Sequence, residues 1–198
     1  MKSIEKKIPN VTLPLKIDII KHSREVDGKS TAVHAKVLSP DDVTIHTFPS
    51  FPDYDASDCV LVFPSDDAKC LEDIYLEGGN NCSRDDDEPV AKRSKKRIQK
   101  AVFIDSTWNQ VKEIIRDDRL KNLARVRIPD KKTLFWRPQK GKPDTFLATI
   151  ESIYYFVKEF SKVYRFNDED TNLDDILYFF MFFCEQIKDK SSFSNLKA

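Results

Sequence analysis

Two short, uninterrupted apolar runs constrain the fold of this chain most. They are CVLVF at residues 59–63 and AVFI at residues 101–104, each bounded by polar or turn residues. Runs of this length are too short for buried helices, and a strand with one solvated face would alternate with polar residues. Both runs therefore predict strands that are covered on both faces, as in the parallel sheets of α/β proteins.

Further strand and helix signals alternate along the chain. Strands are predicted at residues 15–20, 43–48, 124–128 and 134–136, and helices at residues 31–38, 66–76, 109–118, 145–165 and 173–188. Short strands that alternate with helical segments predict an α/β fold, with a mostly parallel sheet and helices on both faces. Ligands of such sheets bind beyond the carboxyl ends of the strands, so the residues after the two apolar runs are the first site candidates.

The length of 198 residues suits a single domain. Residues 1–14 are interpreted as a polar leader, residues 15–190 as the domain and residues 191–198 as a tail. A segment at about 77–100 combines adjacent glycines, an acidic block, a proline and a basic block. It has almost nothing to bury, and this predicts a disordered insertion inside the domain.

Charge and cysteine spacing exclude several classes of protein. The 33 Lys and Arg balance 33 Asp and Glu, so only the position of charge can indicate a nucleic-acid partner. The cysteines form no C-x-x-C pair and the histidines show no ligand spacing, so no metal site is predicted. The most apolar run, residues 177–184, is far shorter than the ~20 residues that cross a bilayer, so no membrane partner is expected.

The sharpest motif is FIDSTW at residues 103–108, where a buried strand delivers a carboxylate and two hydroxyls to a helix start. The simplest interpretation is a helix cap, in which one of these side chains satisfies free N–H groups while Trp108 packs beneath. The alternative is a ligand site at the carboxyl edge of the sheet.

Four segments in a fixed order resemble the DTW-domain family, which is named for an Asp-x-Thr-Trp signature. They are IIKHSREVDGKSTAVHAK, LVFPSDDA, FIDSTW and FWRPQKGKPDTFLATIESIYYF, and they span roughly residues 15–160. The segments IDSTWNQ and FWRPQKGKPDTFL most closely resemble the type 1 tRNA-uridine aminocarboxypropyltransferases of that family. The family is similar to the SPOUT class of RNA-modifying enzymes, and this likeness implies a cofactor site in loops beside a C-terminal backbone knot.

The resemblance implies transfer of the 3-amino-3-carboxypropyl group of S-adenosylmethionine, as co-substrate, to N3 of a D-loop uridine of tRNA. The target uridine would be at position 20. It would become acp3U, and methylthioadenosine would be released. N3 carries a proton at neutral pH, so a base must lie within hydrogen-bond reach, and Asp105 is the predicted base. Its carboxylate could instead stabilise the sulfonium. A SPOUT-like RNA methyltransferase and a non-catalytic tRNA-binding module remain as alternative functions.

The resemblance also implies which residues hold the co-substrate. Arg137 is a candidate for pairing with the methionine carboxylate, or alternatively with an RNA phosphate. The predicted cofactor-binding residues are Pro64, Ser65, Asp105, Ser106, Thr107, Trp108, Arg137, Thr149 and Glu151. The simpler interpretation of Pro64 and Ser65 is a turn, and that of Thr149 and Glu151 is an ordinary amphipathic helix.

Basic residues concentrate between positions 116 and 142, where ten Lys or Arg stand against three Asp. With Trp136 among them, they predict phosphate contacts and a stacking surface for RNA, the alternative being a solvated surface. The block at residues 21–31 adds a helix N-terminus beside basic side chains. The predicted RNA-binding residues are Lys21, His22, Arg24, Ser30, Thr31, Lys131, Lys132, Trp136, Lys140 and Lys142.

Two further segments predict location and assembly. The basic run KRSKKR at residues 92–97 indicates a nuclear localisation signal, the alternative being a solvated loop that attracts RNA. The Phe-rich last helix, which contains LYFFMFFC at residues 177–184, predicts a contact surface for a homodimer.

Overall fold

The structure is a computed structural model. It describes residues 8–25, 28, 30–77, 97–107, 109–129, 131–134, 146–166 and 172–194, with side chains described as far as residue 187.

Five parallel strands form one sheet in the order β2-β1-β4-β3-β5. The strands are β1 (Lys16–Lys21), β2 (Val43–Thr47), β3 (Cys59–Val62), β4 (Lys100–Asp105) and β5 (Ala124–Val126). The two uninterrupted apolar runs form β3 and β4, which pair with each other inside the sheet. Each strand carries buried side chains on both faces, as an uninterrupted apolar sequence requires.

Helices cover both faces of the sheet, which confirms the predicted fold class. They are α1 (Ala32–Leu38), α2 (Leu71–Glu77), α3 (Val111–Ile115), α4 (Asp118–Lys121), α5 (Thr149–Tyr164) and α6 (Tyr178–Ser194), the last preceded by a 3-10 helix (Leu173–Leu177). One core cluster joins Phe103 of β4 to α1, α2, α5 and α6, and a second joins Val102 to α3 and α4. No described helix is both long and apolar enough to span a membrane.

Two predicted helix boundaries are wrong because tertiary contacts override local propensity. The helix predicted at residues 66–76 begins only at Leu71, since Lys69 forms a parallel bridge with Val126 and extends the sheet edge. The helix predicted at residues 109–118 is divided between α3 and α4. The division falls at Asp117, whose side chain accepts a hydrogen bond from the Arg119 amide and starts the second helix.

Segments predicted to lie outside the core also contribute to it. Val11 and Leu13, in the predicted leader, are buried, and the Val11 amide donates to the Leu38 carbonyl at 2.7 Å. At the end of the predicted insertion Ile98 is buried and Lys100 begins β4. The predicted leader and insertion are therefore both too long, because isolated apolar residues in a polar segment give no periodic signal. Residues 78–96 lie outside the described part of the chain.

Candidate active site

A cavity of about 270 Å³ opens at the carboxyl ends of β3, β4 and β5. Its wall is mostly apolar, and includes Val62, Phe103 and Val126 from the strands and Phe146 and Leu147 from the segment before α5. The polar or charged side chains on the wall are Ser106, Lys131, Thr149 and Ser152. An apolar cavity with a few polar groups, at this edge of a parallel sheet, is typical of a small-molecule site.

Asp105, the last residue of β4, is only 5% exposed and lies beside this cavity. Its Oδ2 accepts a hydrogen bond from Ser30 Oγ at 2.6 Å, and its Oδ1 accepts one from Thr149 Oγ1 at 2.7 Å. Both bonds come from hydroxyls of distant segments rather than from the N–H groups of the following helix. Among the described residues the carboxylate therefore acts as a link between elements, which goes beyond the helix-cap interpretation.

Two more hydrogen bonds close this network around Asp105. Ser30 Oγ accepts from the Ala32 amide, the first of α1, at 3.1 Å, while Thr31 Oγ1 accepts from the Ile150 amide at 3.1 Å in the first turn of α5. The network thus joins the start of α1, the end of β4 and the start of α5. Three of the four sequence segments that resemble the DTW family are in direct contact here.

The RNA-binding role predicted for His22, Ser30 and Thr31 does not fit their positions. All three are buried, at 3%, 7% and 5% exposed. The His22 ring accepts at Nδ1 from the Arg24 amide at 3.1 Å and faces Glu113 through Nε2 at 3.4 Å. Since a buried side chain with internal partners cannot reach a phosphate, these residues organise the site from inside. The sequence predicted that His22 lies at a strand end, but it gave no signal that other residues bury this side chain.

Glu151 is also buried, at 2% exposed, and does not line the cavity. Its Oε2 accepts from the Ala148 amide at 2.8 Å, as in a helix-capping contact, and from Thr133 Oγ1 at 2.7 Å. Its Oε1 accepts from the Leu134 amide at 2.7 Å. Glu151 therefore holds residues 131–134, a loop beside the cavity, against α5.

Two predicted elements differ from the structure at this point. Leu134 is not in a strand, although a strand was predicted at residues 134–136, and the helix predicted from residue 145 begins at Thr149.

Pro64 and Ser65 follow β3, and Ser106 and Thr107 follow β4, so these predicted cofactor residues lie at strand ends beside the cavity. Pro64 lies on the cavity wall, and Ser65 begins a turn in which its carbonyl accepts from the Ala68 amide at 2.9 Å. Ser106 lines the cavity, and its Oγ is buried without a hydrogen-bond partner among the described residues. Thr107 is exposed and its carbonyl accepts from the Val111 amide at the start of α3. Trp108 and Arg137 lie outside the described residues.

The basic side chains differ in their position in the fold. Arg119 bonds to Asp117 at 2.8 Å and to the Pro49 carbonyl, and Arg125 bonds to Asp67 at 3.1 Å, so both are engaged within the protein. Lys21 ends β1, Arg24 follows it, and Lys131 and Lys132 follow β5, so all four lie on the carboxyl edge of the sheet. Lys131 also lies on the cavity wall. Trp136, Lys140 and Lys142 are outside the described residues.

A second buried carboxylate, which the sequence did not reveal, lies on the opposite face of the sheet. Asp18 of β1 accepts from Lys100 Nζ at 3.1 Å and from the Tyr54 hydroxyl at 3.2 Å, and it contacts His46 Nε2 at 3.1 Å. Burial raises the pKa of the neighbouring Cys59 thiol to about 12, so this cysteine is not a nucleophile at neutral pH. The described residues contain no cluster of three or more His, Cys, Asp or Glu that could hold a metal ion.

Fold and site together define an α/β protein with a cavity beyond the carboxyl ends of its parallel strands, beside a buried carboxylate. The profile of the DTW domain matches residues 2–188. The chain belongs to the DTW domain family, as its motifs predicted.

Two relatives show how far the similarity extends. The chain is 45% identical, over an alignment of 206 residues, to tRNA-uridine aminocarboxypropyltransferase 1 of Xenopus tropicalis. The alignment covers 92% of this chain and 70% of that protein. It is 42% identical, over an alignment of 207 residues, to the protein of the same name from Mus musculus. That alignment covers 92% of this chain and 68% of the relative. No solved structure gives a significant match.

Proposed function

We propose that this protein is a tRNA-uridine aminocarboxypropyltransferase that uses S-adenosylmethionine as co-substrate. One observation carries the proposal: Asp105, the acidic residue of the family signature, is hydrogen-bonded to a hydroxyl on the wall of the ligand cavity. The relatives that are more than 40% identical to this chain carry the name of that enzyme. The carboxylate suits the cationic sulfonium of the donor, the hydroxyls suit the neutral uracil that accepts the group, and the cations at the same sheet edge suit RNA phosphates.

The residues around the cavity fit S-adenosylmethionine. The apolar wall at the ends of β3, β4 and β5 suits an adenine ring. Lys131 offers a charge for the methionine carboxylate, in addition to Arg137, which was predicted from the sequence. When bound, S-adenosylmethionine supplies a γ-carbon that the adjacent sulfonium has already activated.

The contribution of the protein is then orientation and proton removal. Only a γ-carbon held in line with uracil N3 reacts, so the groups that grip the methionine end select it over the methyl group. Asp105 is the final acceptor of the proton that leaves N3 of a D-loop uridine, which we assign to position 20, and the products are acp3U and methylthioadenosine. Glu151 keeps the segment at residues 131–134 against the start of α5, and thereby maintains the shape of the cavity.

The deciding experiment is nucleoside mass spectrometry of tRNA after incubation with this protein and S-adenosylmethionine. The proposed function predicts acp3U in the tRNA and methylthioadenosine in solution. A methylated nucleoside with adenosylhomocysteine would make the protein a methyltransferase instead. Failure to bind S-adenosylmethionine, with tRNA binding intact, would make it a non-catalytic tRNA-binding module.

We place the tRNA contact at the carboxyl edge of the sheet, over the cavity. Lys21 and Arg24 approach this edge after β1, and Lys132 approaches it after β5. Arg119 and Arg125 contribute less to this surface than their sequence position suggested, because their guanidinium groups are bonded within the protein. Lys140 and Lys142 complete the proposed track on sequence grounds.

Replacing Lys132, Lys140 and Lys142 by alanine is expected to weaken tRNA binding and to flatten its salt dependence. Each lost phosphate contact should lower the slope of log K against log salt by roughly 0.7–0.9, since fewer counterions are released. Binding titrations at several salt concentrations measure this slope. The control variant replaces Lys16 and Lys162, which lie at the opposite edge of the sheet and the far end of α5, and it should keep the parent slope. Equal slopes in both variants would move the RNA contact elsewhere.

Three further parts of the proposal rest on the sequence. The SPOUT-like arrangement with a C-terminal knot depends on the connection from β5 to α5, most of which lies outside the described residues. Nuclear localisation rests on the basic run at residues 92–97. Contact with a second copy of the chain is supported by exposed apolar side chains on α6, namely Met181, Phe182, Phe183 and Ile187.

A further inference from the structure

We infer that the Thr149 hydroxyl takes the N3 proton of the target uridine, and that Asp105 receives the proton through Thr149. The inference rests on the proposed function and names a catalytic residue for that reaction. It follows from the direction of one hydrogen bond and from which of its two partners lines the cavity.

The direction of this hydrogen bond follows from chemistry. A carboxylate has no proton to give, so in the 2.7 Å contact Thr149 Oγ1 donates and Asp105 Oδ1 accepts. The Thr149 oxygen keeps its lone pairs and can accept a hydrogen bond from another group. Thr149 lines the cavity, whereas Asp105 is 5% exposed and is not part of the cavity wall. A uracil ring bound in the cavity therefore meets the Thr149 side chain before it meets the carboxylate.

The other hydroxyl on Asp105 is not equivalent. Ser30 Oγ donates to Asp105 at 2.6 Å and also accepts from the Ala32 amide at 3.1 Å, so its donor and one acceptor position are both used. Ser30 is 7% exposed and does not line the cavity. It fixes the carboxylate in place, and Thr149 alone of these two hydroxyls connects the carboxylate to the cavity.

Ser106 provides the complementary donor for the uracil ring. Ser106 lies on the cavity wall, and its Oγ is buried and, among the described residues, has no hydrogen-bond partner. In uracil the N3–H donor lies between two carbonyl acceptors. An acceptor at Thr149 and a donor at Ser106 match this alternation, and a donor aimed at a carbonyl oxygen stabilises the negative charge that develops as N3 loses its proton.

The step balances without any further reactant. The N3–H bond breaks, and its electron pair forms the new bond from N3 to the γ-carbon of S-adenosylmethionine. The N3 proton moves to the Thr149 oxygen while the Thr149 proton moves to Asp105. The electron pair of the bond between the γ-carbon and sulfur goes to sulfur, so the sulfonium charge and the carboxylate charge disappear together and methylthioadenosine leaves.

The test compares Thr149→Val, which keeps the shape but removes the hydroxyl, with Thr149→Ser, which keeps the hydroxyl. We expect Thr149→Val to lower kcat by about 100-fold, the lower range for a positioned proton acceptor, because water replaces it poorly. Its rate should rise more steeply with pH than that of the parent. Thr149→Ser should restore most of kcat. Thr149→Val should melt somewhat earlier, because Asp105 loses a buried hydrogen bond. The Kd for S-adenosylmethionine, measured without tRNA, should stay close to the parent value in both variants.

Tyr54→Phe is the control, because the Tyr54 hydroxyl also donates to a buried carboxylate, that of Asp18 at 3.2 Å, on the opposite face of the sheet and without lining the cavity. It should melt earlier but keep kcat and the pH profile. Parent-like kcat in Thr149→Val, an equal loss of kcat in Tyr54→Phe, or a loss confined to the Kd for S-adenosylmethionine would each overturn the inference. These outcomes require a parent protein that makes acp3U. A parent that makes none refutes the proposed function itself.

Discussion

Asp105→Asn is expected to lower the rate of acp3U formation by about two to four orders of magnitude, the usual effect of removing a positioned general base. Asparagine keeps the shape of the side chain but cannot accept a proton. It also leaves one of the hydroxyls of Ser30 and Thr149 without its acceptor, which should reduce the free energy of unfolding by about 1–3 kcal/mol. Single-turnover rates at several pH values measure the effect, and a higher pH should partly restore activity as solvent removes the N3 proton.

Asp18→Asn provides the control for loss of a buried carboxylate. Asp18 is as buried as Asp105, at 3% against 5% exposed, but it lies on the other face of the same sheet. This variant should lose stability and keep the catalytic rate. If Asp105→Asn instead binds S-adenosylmethionine more weakly and shows no recovery at high pH, the carboxylate stabilises the sulfonium. Near-parent turnover in Asp105→Asn would remove this residue from the chemistry altogether.

The largest loss of stability is expected from Glu151→Ala. This change removes the acceptor of three hydrogen bonds at once, those of the Ala148 amide, the Leu134 amide and the Thr133 hydroxyl. A buried donor left without a partner costs about 1–3 kcal/mol, so we expect the free energy of unfolding to fall by about 3 kcal/mol or more. Denaturant titration of the parent and the variant measures the difference.

Glu159→Ala is the control on the same helix. Glu159 is half-buried in α5, and its replacement should change the free energy of unfolding by no more than about 0.5 kcal/mol. If Glu151→Ala and Glu159→Ala unfold at similar denaturant concentrations, the contacts of Glu151 do not hold residues 131–134 in place.

The sheet and the acidic residue of the site could be predicted from the sequence because both leave local signals. Uninterrupted apolar runs indicated β3 and β4, and their carboxyl ends directed attention to Asp105. The partners of Asp105 could not be predicted by physical reasoning alone, since Ser30 and Thr149 are 75 and 44 residues away from it in sequence. A hydroxyl at a helix start carries the same local pattern whether it caps that helix or binds a distant carboxylate.

Burial at strand ends was the other feature without a sequence signal. His22 follows β1 among charged residues, and this pattern suggested an exposed position. The structure covers it with the segment after β2, where the Phe48 ring stacks on the imidazole at 6.2 Å between centroids. Similarly, Lys69 lies in a helical pattern but pairs with β5. At both positions the local structure is decided by a neighbouring residue that is remote in sequence.

The network around Asp105 also has a consequence for the order of folding. Thr31 and Ile150, which it joins, are 119 residues apart, so the contact closes one of the longest loops in the chain. Contacts of such high sequence separation form late, after more local structure has reduced the entropy of closing the loop. During synthesis the strands up to β5 leave the ribosome well before α5 does. The site is therefore completed only after α5, which follows all five strands in the chain, has emerged.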